Sequence, residues 1–444
     1  MRFRSILGNS PPVTFRESLF RGMAPDGSLY IPEHIPPLPE SFVQQLENES
    51  LHSIGTQVTS RFIDEVPEAT LRAIVQEAWN FPIPLVRLEE GLYLLELFHG
   101  PTLAFKDVGA RFMAHALSHF LEKEKEGITI VVATSGDTGG AVAHGFFNAP
   151  HISVFVLYPS GKISNLQEQQ MTTLGGNIHA LEVEGTFDDC QRLVKLALAD
   201  PEILQARTLT TANSINIGRL IPQITYYFWG VAQLRRLRES SRLISGQPPQ
   251  PIVVVPSGNF GNLTAAVYSK WMGNPIARFI AATNANHVVP DYFSSGTYTP
   301  CPSVQTYSNA MDVGNPSNFV RLQALYEYNL EQMRRDISAV SVSDEETLAE
   351  IRRTYDRTGY VLDPHTAVGI AAARQVHSST VDSPPVIAVA TAHPGKFPDV
   401  VEKALGKHVS LPPALQEAMK QPKISTRIPP EYSSWKGILL QSAR

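Results

Sequence analysis

Short apolar runs that alternate with helical stretches are the feature of this chain that most limits its possible folds. From about residue 92 onward, runs rich in valine, isoleucine and leucine are separated by longer stretches with helical periodicity. Continuous apolar strands that alternate with helices are typical of parallel sheets in α/β proteins, which is the fold class we predict. The predicted strands are 93–98, 128–134, 152–158, 178–183, 251–256, 279–283 and 386–391, and the predicted helices between them include 107–124, 138–148, 186–199 and 218–238.

The length of 444 residues exceeds what one hydrophobic core usually supports, so two or three lobes are expected. The first part of the chain differs from the rest, with short amphipathic helical patterns and a proline-rich piece at 31–40. We interpret 1–85 as a small mixed N-terminal domain and 86–444 as the main domain. Segment 239–251, rich in serine and proline, is the clearest linker.

Composition limits the functional classes that this chain can belong to. Its 37 basic and 42 acidic residues give a formal charge of -5, which provides no electrostatic footprint for nucleic acid or an acidic membrane surface. Cys190 and Cys301 are too far apart for a CxxC pair, so neither a disulfide framework nor a zinc site is expected. No apolar run approaches 18 residues, and the first dozen residues do not resemble a signal peptide. We therefore expect a cytoplasmic protein with no metal site and no nucleic-acid or membrane partner.

The first of three helix starts with anion-site chemistry follows the strand that ends at Thr134. Ser135, Gly136, Asp137 and Thr138 form a tight turn before a predicted helix. Free N–H groups and the positive end of the helix dipole face whatever lies at such a turn, and small residues let an anion approach the backbone. An ordinary strand-to-helix turn remains an equally open interpretation.

The second helix start repeats this design after the strand at 251–256. Its turn lacks both the GxGxxG pattern of dinucleotide-binding folds and the Gly-Lys-Ser/Thr of a phosphate loop, yet its backbone amides are suited to holding one phosphate. A plain turn again remains open. The residues of the turn are Gly258, Asn259, Phe260, Gly261 and Asn262.

The third helix start is the weakest of the three by itself. Asn213 and Ser214 can cap a helix, and Arg219 follows about one turn later. An arginine beside a capped helix start is suited to binding a phosphate, although a lone arginine on a helix is more often a solvated surface charge.

Lys106 is a candidate for covalent chemistry, because it lies in the first turn of a predicted helix. The helix dipole disfavours a cation at that position, so a purely structural lysine is poorly placed there. The neighbouring Phe105 and other apolar residues exclude water, and desolvation favours the neutral amine that acts as a nucleophile. A surface ion pair between Lys106 and Asp107 is the alternative that position alone leaves open.

Six segments, taken together and in order along the chain, resemble the motifs of the threonine synthase family. The resemblance implies a PLP (pyridoxal 5'-phosphate) enzyme of fold type II, similar to the β subunit of tryptophan synthase, with the cofactor in a cleft between two parallel-sheet α/β lobes. It further implies a smaller lobe at about 111–230 and a larger PLP lobe formed by 86–110 with 231–444. The matching segments are LFRGMAPDGSLYIP at 19–32, GPTLAFKD at 100–107, TSGDTG at 134–139, NSINIGR at 213–219, PSGNFGN at 256–262 and TAHPGKFP at 391–398.

The resemblance assigns cofactor roles to residues of three motifs. Lys106 matches the lysine that binds PLP covalently, with Phe105 beside it. The loop Gly258–Asn262 matches the one that surrounds the PLP phosphate. Thr391 matches the residue that faces the pyridine nitrogen, where a hydroxyl leaves that nitrogen less firmly protonated than a carboxylate would.

The resemblance also implies a substrate, O-phosphohomoserine, which the family converts with water to L-threonine and phosphate by β,γ-elimination and replacement. This substrate carries a carboxylate and a phosphate. The turn from Ser135 to Thr138, with Gly136 and Asp137, matches the loop that binds the carboxylate and part of the phosphate. The phosphate site is matched by Asn213, Ser214, Asn216 and Arg219.

Three other functions remain open at the level of sequence. A related PLP lyase acting on a phosphorylated β-hydroxy amino acid or on serine or threonine would carry similar motifs, and the 213–219 motif favours a phosphorylated substrate. An inactive PLP-binding protein would not need to keep Lys106. A nucleotide-binding protein would need an acidic residue after a GxGxxG turn, which is lacking. His99 and His393 adjoin motifs, but packed or hydrogen-bonded roles are favoured for both. We predict a monomer or homodimer.

Overall fold

The structure is a computed structural model that describes residues 1–122, 124, 126–239, 250–376 and 383–441. Most of the predicted linker, residues 240–249, lies outside the described residues. The strands are β1 (Phe3–Ser5), β2 (Tyr30–Pro32), β3 (Leu85–Glu89), β4 (Leu92–Glu96), β5 (Ile128–Ala133), β6 (Ile152–Pro159), β7 (Ile178–Val183), β8 (Thr208–Thr211), β9 (Ile252–Pro256), β10 (Arg278–Thr283), β11 (Ile337–Ser341), β12 (Val386–Ala390) and β13 (Thr426–Ile428). The α-helices are α1 (Phe15–Arg21), α2 (Glu40–Gln44), α3 (Leu51–Ser60), α4 (Glu68–Ala78), α5 (Lys106–Leu121), α6 (Asp137–Phe146), α7 (Asn165–Thr172), α8 (Phe187–Ala199), α9 (Pro201–Ala206), α10 (Ile217–Leu220), α11 (Ile224–Glu239), α12 (Gly261–Trp271), α13 (Val288–Ser295), α14 (Phe319–Leu325), α15 (Leu330–Asp336), α16 (Asp344–Thr358), α17 (Pro364–Val376), α18 (Pro398–Leu405), α19 (Pro413–Ala418) and α20 (Tyr432–Gln441).

The larger sheet has the strand order β11-β10-β9-β12-β4-β3. Its strands are parallel except β3, which runs antiparallel to β4. A turn at Glu90 and Gly91 joins these two strands, and so short a connection permits only an antiparallel pair. The sequence pattern does not predict β3 or β11, because their residues do not form continuous buried apolar runs.

The smaller sheet is entirely parallel, with the order β13-β7-β6-β5-β8. Its edge strand β13 differs from the predicted division of the chain, which assigns all of 231–444 to the larger lobe. Helix α20 follows β13 onto the same lobe, where Trp435 is fully buried against Phe155. The sequence does not indicate this return, because β13 has only three residues and two of them are exposed.

The N-terminal part contributes the antiparallel pair β1 and β2 and four helices that pack on the main domain. Trp79, at the end of α4, stacks on Phe112 of α5 at 5.9 Å and donates its indole N–H to the Val108 carbonyl at 3.0 Å. Helix α4 ends at Ala78, and the next strand, β3, already belongs to the larger sheet. These contacts with the N-terminal part hold the first turns of α5 in position.

The cleft between the two sheets is formed where their parallel strands end. In parallel sheets the turns after the carboxyl ends of the strands gather at one edge. Here β5 and β8 of the smaller sheet end toward β9 and β12 of the larger one, and the turns after all four line one cavity. The predicted helix 218–238 is interrupted near Pro222, which has no N–H to donate, so α10 and α11 are separate.

Candidate active site

Fourteen of the sixteen predicted site residues line a single cavity between the two sheets. The exceptions are Gly136, whose backbone shapes the first turn, and Asn216. The residues on the cavity wall are Phe105, Lys106, Ser135, Asp137, Thr138, Asn213, Ser214, Arg219, Gly258, Asn259, Phe260, Gly261, Asn262 and Thr391.

Lys106 is the first residue of α5, and the surrounding backbone fixes its position. The N–H of Phe105 donates to the Thr391 carbonyl at 2.8 Å, which ties the helix start to the end of β12. The buried Asp107 carboxylate accepts hydrogen bonds from the N–H and hydroxyl of Thr102, at 2.9 and 2.7 Å. Asp107 therefore closes the loop before the helix, and it makes no surface ion pair with Lys106.

The Lys106 amine lies in surroundings that favour its neutral form. Burial lowers its pKa from the ordinary 10.5 to about 8. The Asp137 carboxylate, with Oδ2 3.8 Å from Nζ, opposes this effect, whereas the positive charges of Lys396 and Arg219 add to it. A lysine with a pKa near 8 supplies an appreciable fraction of free amine at neutral pH, as a covalent nucleophile or general base requires.

Asp137 begins α6 at the first of the three turns and is buried at the cavity wall. Its Oδ1 lies 2.8 Å from Nζ of Lys396 and accepts a hydrogen bond from Gln167 at 3.1 Å. Burial by itself would raise the pKa of Asp137, but Lys396 and Lys106 outweigh this effect and hold its pKa well below the ordinary value. The carboxylate is therefore ionised at neutral pH.

The second turn, from Gly258 to Asn262, holds the start of α12 against a neighbouring loop. Phe260 has a φ of 62°, and the Asn262 amide donates to the Pro256 carbonyl at 2.7 Å. A Cβ atom at Gly258 would lie 2.8 Å from the Ala310 carbonyl oxygen, so this glycine is required by close backbone contact. The turn presents free amides at the start of an 11-residue helix.

The third segment differs from the sequence prediction in how it would bind an anion. Helix α10 has only four residues, so its dipole is a minor contributor, and the charge comes from Arg219. Arg219 is 4% exposed rather than a solvated surface charge, and burial lowers its pKa to about 10. Its guanidinium donates to the Ala212 carbonyl, whereas its Nε lacks a hydrogen-bond partner among the described residues. Such a group is suited to an anionic ligand.

Asn216 is one of the two predicted substrate residues, with Gly136, that the structure places away from the cavity wall. Its side chain is fully buried and caps α10, with Oδ1 accepting from the Gly218 N–H at 2.9 Å. Its Nδ2 donates to the carbonyls of Leu19 and Thr211, at 3.0 and 2.9 Å. Asn216 therefore shapes the segment that carries Arg219, and its hydrogen-bonding groups are already used.

Lys396 and His365 are among the polar residues at the site that sequence reasoning missed. Lys396 lies inside the predicted motif 391–398, and that membership was the only signal. His365 lines the cavity, with Nδ1 2.9 Å from Asp363 and Nε2 accepting the Ala310 N–H at 3.2 Å. Nothing in the local pattern pointed to His365, because its position depends on how α17 packs across the larger sheet.

Comparison with known protein families shows which family shares this sequence. A model described as pyridoxal-phosphate dependent enzyme matches residues 78–392. Models described as threonine synthase N terminus and threonine synthase, C-terminal match residues 2–79 and 366–438. The chain is 43% identical over 432 residues to the threonine synthase of Haemophilus influenzae, with 97% of each chain covered. The chain belongs to the threonine synthase family.

Solved structures of threonine synthases share the whole fold. The crystal structure of the Escherichia coli threonine synthase has a TM-score of 0.91 at 39% identity and covers 100% of both chains. A PLP-bound threonine synthase from Brucella melitensis has a TM-score of 0.90 at 36% identity, again with 100% of both chains covered. The predicted fold type II architecture is thereby confirmed, as is membership in a PLP-dependent family.

The residues of this threonine synthase family member fit PLP. A buried lysine whose pKa is lowered to about 8 faces the cavity. The turn at Gly258–Asn262 offers backbone amides, and Gly258 has no Cβ where the turn passes closest to the Ala310 carbonyl. Among the described residues no group of three or more histidine, cysteine or acidic side chains is arranged to hold a metal ion. None of the described helices combines the length and hydropathy needed to cross a bilayer.

Proposed function

We propose that this protein converts O-phosphohomoserine and water to L-threonine and phosphate, with Lys106 as the PLP lysine. The observation that carries the proposal is the Lys106 amine, with a pKa near 8, facing a cavity whose walls hold two amide-rich turns and the buried cation of Arg219. The cofactor phosphate, the substrate carboxylate and the substrate phosphate are three anions. The two turns and Arg219 supply one binding partner for each of them.

The roles of the cavity residues follow from their chemistry. The amides from Gly258 to Asn262 would hold the PLP phosphate, and the Thr391 hydroxyl would face the ring nitrogen. The turn from Ser135 to Thr138 would bind the substrate carboxylate. Arg219, with Asn213 and Ser214, would bind the substrate phosphate, and the buried position of Arg219 strengthens that charge-assisted contact.

Proton transfer is assigned to Lys106. Bound PLP supplies an electron sink that stabilises negative charge at the substrate carbons. Lys106 takes the α-proton and returns protons at later steps, because its amine can lose and regain a proton near neutral pH. A proton would be removed from Cβ as the phosphate group leaves Cγ of the substrate, and Arg219 would hold the departing phosphate. A proton would then be added at Cγ and water at Cβ, before the α-proton returns. Enclosure between the two lobes restricts water to the step that consumes it.

The test measures inorganic phosphate and amino-acid product from O-phosphohomoserine, using purified protein with PLP. We expect threonine and phosphate in equal amounts, and a loss of about 10³-fold or more in the Lys106→Ala variant. O-phosphothreonine serves as the competing substrate. Phosphate and 2-oxobutyrate from O-phosphothreonine alone would contradict the proposed reaction while leaving the lysine assignment intact.

The division into domains and the surroundings of the enzyme remain proposals. We propose an N-terminal domain at 1–85 and a catalytic domain at 86–444, with β13 and α20 grouped with the smaller lobe at 111–230. A cytoplasmic location and a monomeric or homodimeric state are likewise proposed from the sequence. Size-exclusion chromatography coupled to light scattering would measure the oligomeric state directly.

A further inference from the structure

Asp137 lies between two lysines in the interior of the protein. Its Oδ1 is 2.8 Å from Nζ of Lys396, and its Oδ2 is 3.8 Å from Nζ of Lys106. The side chains of Lys396 and Asp137 are 0% and 4% exposed, and that of Lys106 is 15% exposed. One carboxylate thus serves two ammonium groups, of which only Lys106 faces the cavity.

Lys396 is anchored independently of the ligand. It ends the short 3-10 turn Pro394–Lys396, and its Nζ donates to the Thr102 carbonyl at 2.8 Å. Thr102 in turn holds Asp107 in the first turn of α5, beside Lys106. Lys396 therefore links the loop that positions Lys106 to the helix that carries Asp137.

This anchoring decides which oxygen of Asp137 is left for Lys106. Lys396 and Gln167 both occupy Oδ1, so the carboxylate is held in one orientation with Oδ2 directed to the catalytic amine. When Lys106 loses its proton, Asp137 still has a cation as its partner, because Lys396 remains in place. A buried carboxylate without any cation would tend to take up a proton instead.

The other charged groups around this cluster leave its surplus of one positive charge in place. Arg219 adds a second cation near Lys106, and Asp107 provides an anion near Lys396 and Arg219. A protonated His365 would act on Asp137 in the same direction as the two lysines. The positive charge of Lys396 therefore acts on Lys106 directly, and it also acts through the shared carboxylate.

We propose that Lys396 is a positioning residue, which keeps the Asp137 carboxylate ionised and oriented so that the Lys106 amine can release and recover its proton. The inference deepens the proposed function, since it rests on Lys106 as the PLP lysine. It does not depend on which phosphorylated amino acid is the substrate.

The first experiment measures the titration of Lys106 in the PLP-free protein. The protein is labelled with acetic anhydride at several pH values, and mass spectrometry quantifies the labelled peptide that contains Lys106. The pH at which labelling is half-maximal is the midpoint of the Lys106 titration. We expect a midpoint near pH 8 in the unmodified sequence and an upward shift of about one unit in Lys396→Gln, because Asp137 is then left to Lys106 alone. Lys396→Arg should restore the original midpoint, and Lys420→Gln, at an exposed ion pair, should not move it. An unchanged midpoint in a folded Lys396→Gln variant would overturn the proposal.

A second variant covers the case in which Lys396→Gln does not fold. In Asp137→Asn the carboxylate that favours the Lys106 cation is gone while Lys396 remains, so the midpoint should fall by about one unit. A midpoint that stays near pH 8 in Asp137→Asn would show that the shared carboxylate does not set the pKa of Lys106. That result would also overturn the proposal.

A third measurement links the titration to cofactor capture. The rate of PLP uptake by the PLP-free protein at pH 7, followed by absorbance, should fall about tenfold in Lys396→Gln, in step with the loss of free amine, and should recover at pH 9. A fall that is the same at both pH values would indicate a structural defect and contradict the proposed role. Both assays omit substrate, so a failed substrate assignment leaves them interpretable.

Discussion

Lys106 shows how one residue at a functional site opposes the stability of the fold. Its amine is buried beside two other cations, and its folded-state pKa of about 8 lies below the ordinary 10.5. Between pH 8 and pH 10.5 the unfolded chain binds more protons than the folded one. The free energy of unfolding of the PLP-free protein therefore rises with pH over this range. Below pH 8 the full cost of the buried charge is present.

We expect Lys106→Met to stabilise the PLP-free protein by about 2–3 kcal/mol at pH 7, because the buried amine is removed while Asp137 keeps Lys396 as its partner. The gain should shrink as pH rises from 8 to 10.5. Denaturant unfolding at pH 7 and pH 10 measures both values. Lys420→Met, at an exposed site, serves as the control with no gain. A variant that is no more stable than the parent at pH 7 would refute this account.

At the level of secondary-structure elements, the site is formed by turns that follow the strands. These turns pass close to other backbone segments. The N–H groups of Ser317 and Asn318 donate to the side chain and carbonyl of Asn259, at 3.2 and 3.1 Å. The fully buried Arg321 donates to Asn318 and to the carbonyls of Ser214 and Ile215. The second and third turns of the site are therefore held together by one segment.

Gly258→Ala should disturb this arrangement, since its Cβ would lie 2.8 Å from the Ala310 carbonyl oxygen and 2.9 Å from Cα of Met311. Because both contacts are backbone atoms, the turn has to shift, at a cost of about 1–3 kcal/mol. We expect PLP to bind about tenfold or more weakly, measured by absorbance titration.

Gly437→Ala is the matched control for Gly258→Ala. Gly437 lies inside α20, and a Cβ atom added there would have no other atom within 4 Å. Alanine should therefore raise helix stability by up to about 1 kcal/mol without changing PLP affinity. Equal PLP affinity in both variants would contradict the importance of close contact at Gly258.

On the largest scale, the chain crosses between its lobes more often than its sequence order suggests. After β12 completes the larger sheet, the chain returns to the smaller sheet, where β13 pairs with β7. Trp435 of α20 then fills the core of that lobe beside Phe155, with ring centroids 5.3 Å apart. The smaller lobe is therefore completed only by the end of the chain.

Trp435→Ala should destabilise the protein by about 3–5 kcal/mol, the usual cost of emptying a large buried aromatic site. Hydrogen exchange should increase first in β13, β7 and α20, while β9 and β12 of the larger sheet stay protected. Trp271→Ala, at a residue 41% exposed, should cost less than about 1 kcal/mol. An even loss of protection over both sheets would show that the lobes unfold as one unit.

Features that depend on neighbouring residues could be predicted from the amino-acid sequence. Apolar runs located β5, β6, β7, β9, β10 and β12 to within about a residue, because a strand buried on both faces needs continuous apolar side chains. Small residues after two of the predicted strands, and capping residues at a third helix start, marked segments that line the cavity. The position of Lys106 at a helix start marked the reactive amine. Six motifs in order then gave the family and the cofactor.

Which distant groups meet was set by the packing of the two lobes. Lys396 and Asp137 are more than 250 positions apart in sequence, and their ion pair forms because the lobes close on each other. Packing of α17 on the larger sheet likewise brings His365 to the cavity, and the N-terminal helix α1 lies where the Asn216 side chain donates to Leu19. Arg219 is buried by the segments around it. Periodicity and turn chemistry report local conformation, whereas burial and charge pairing depend on contacts between segments far apart in the chain, and these set the protonation states on which the site depends.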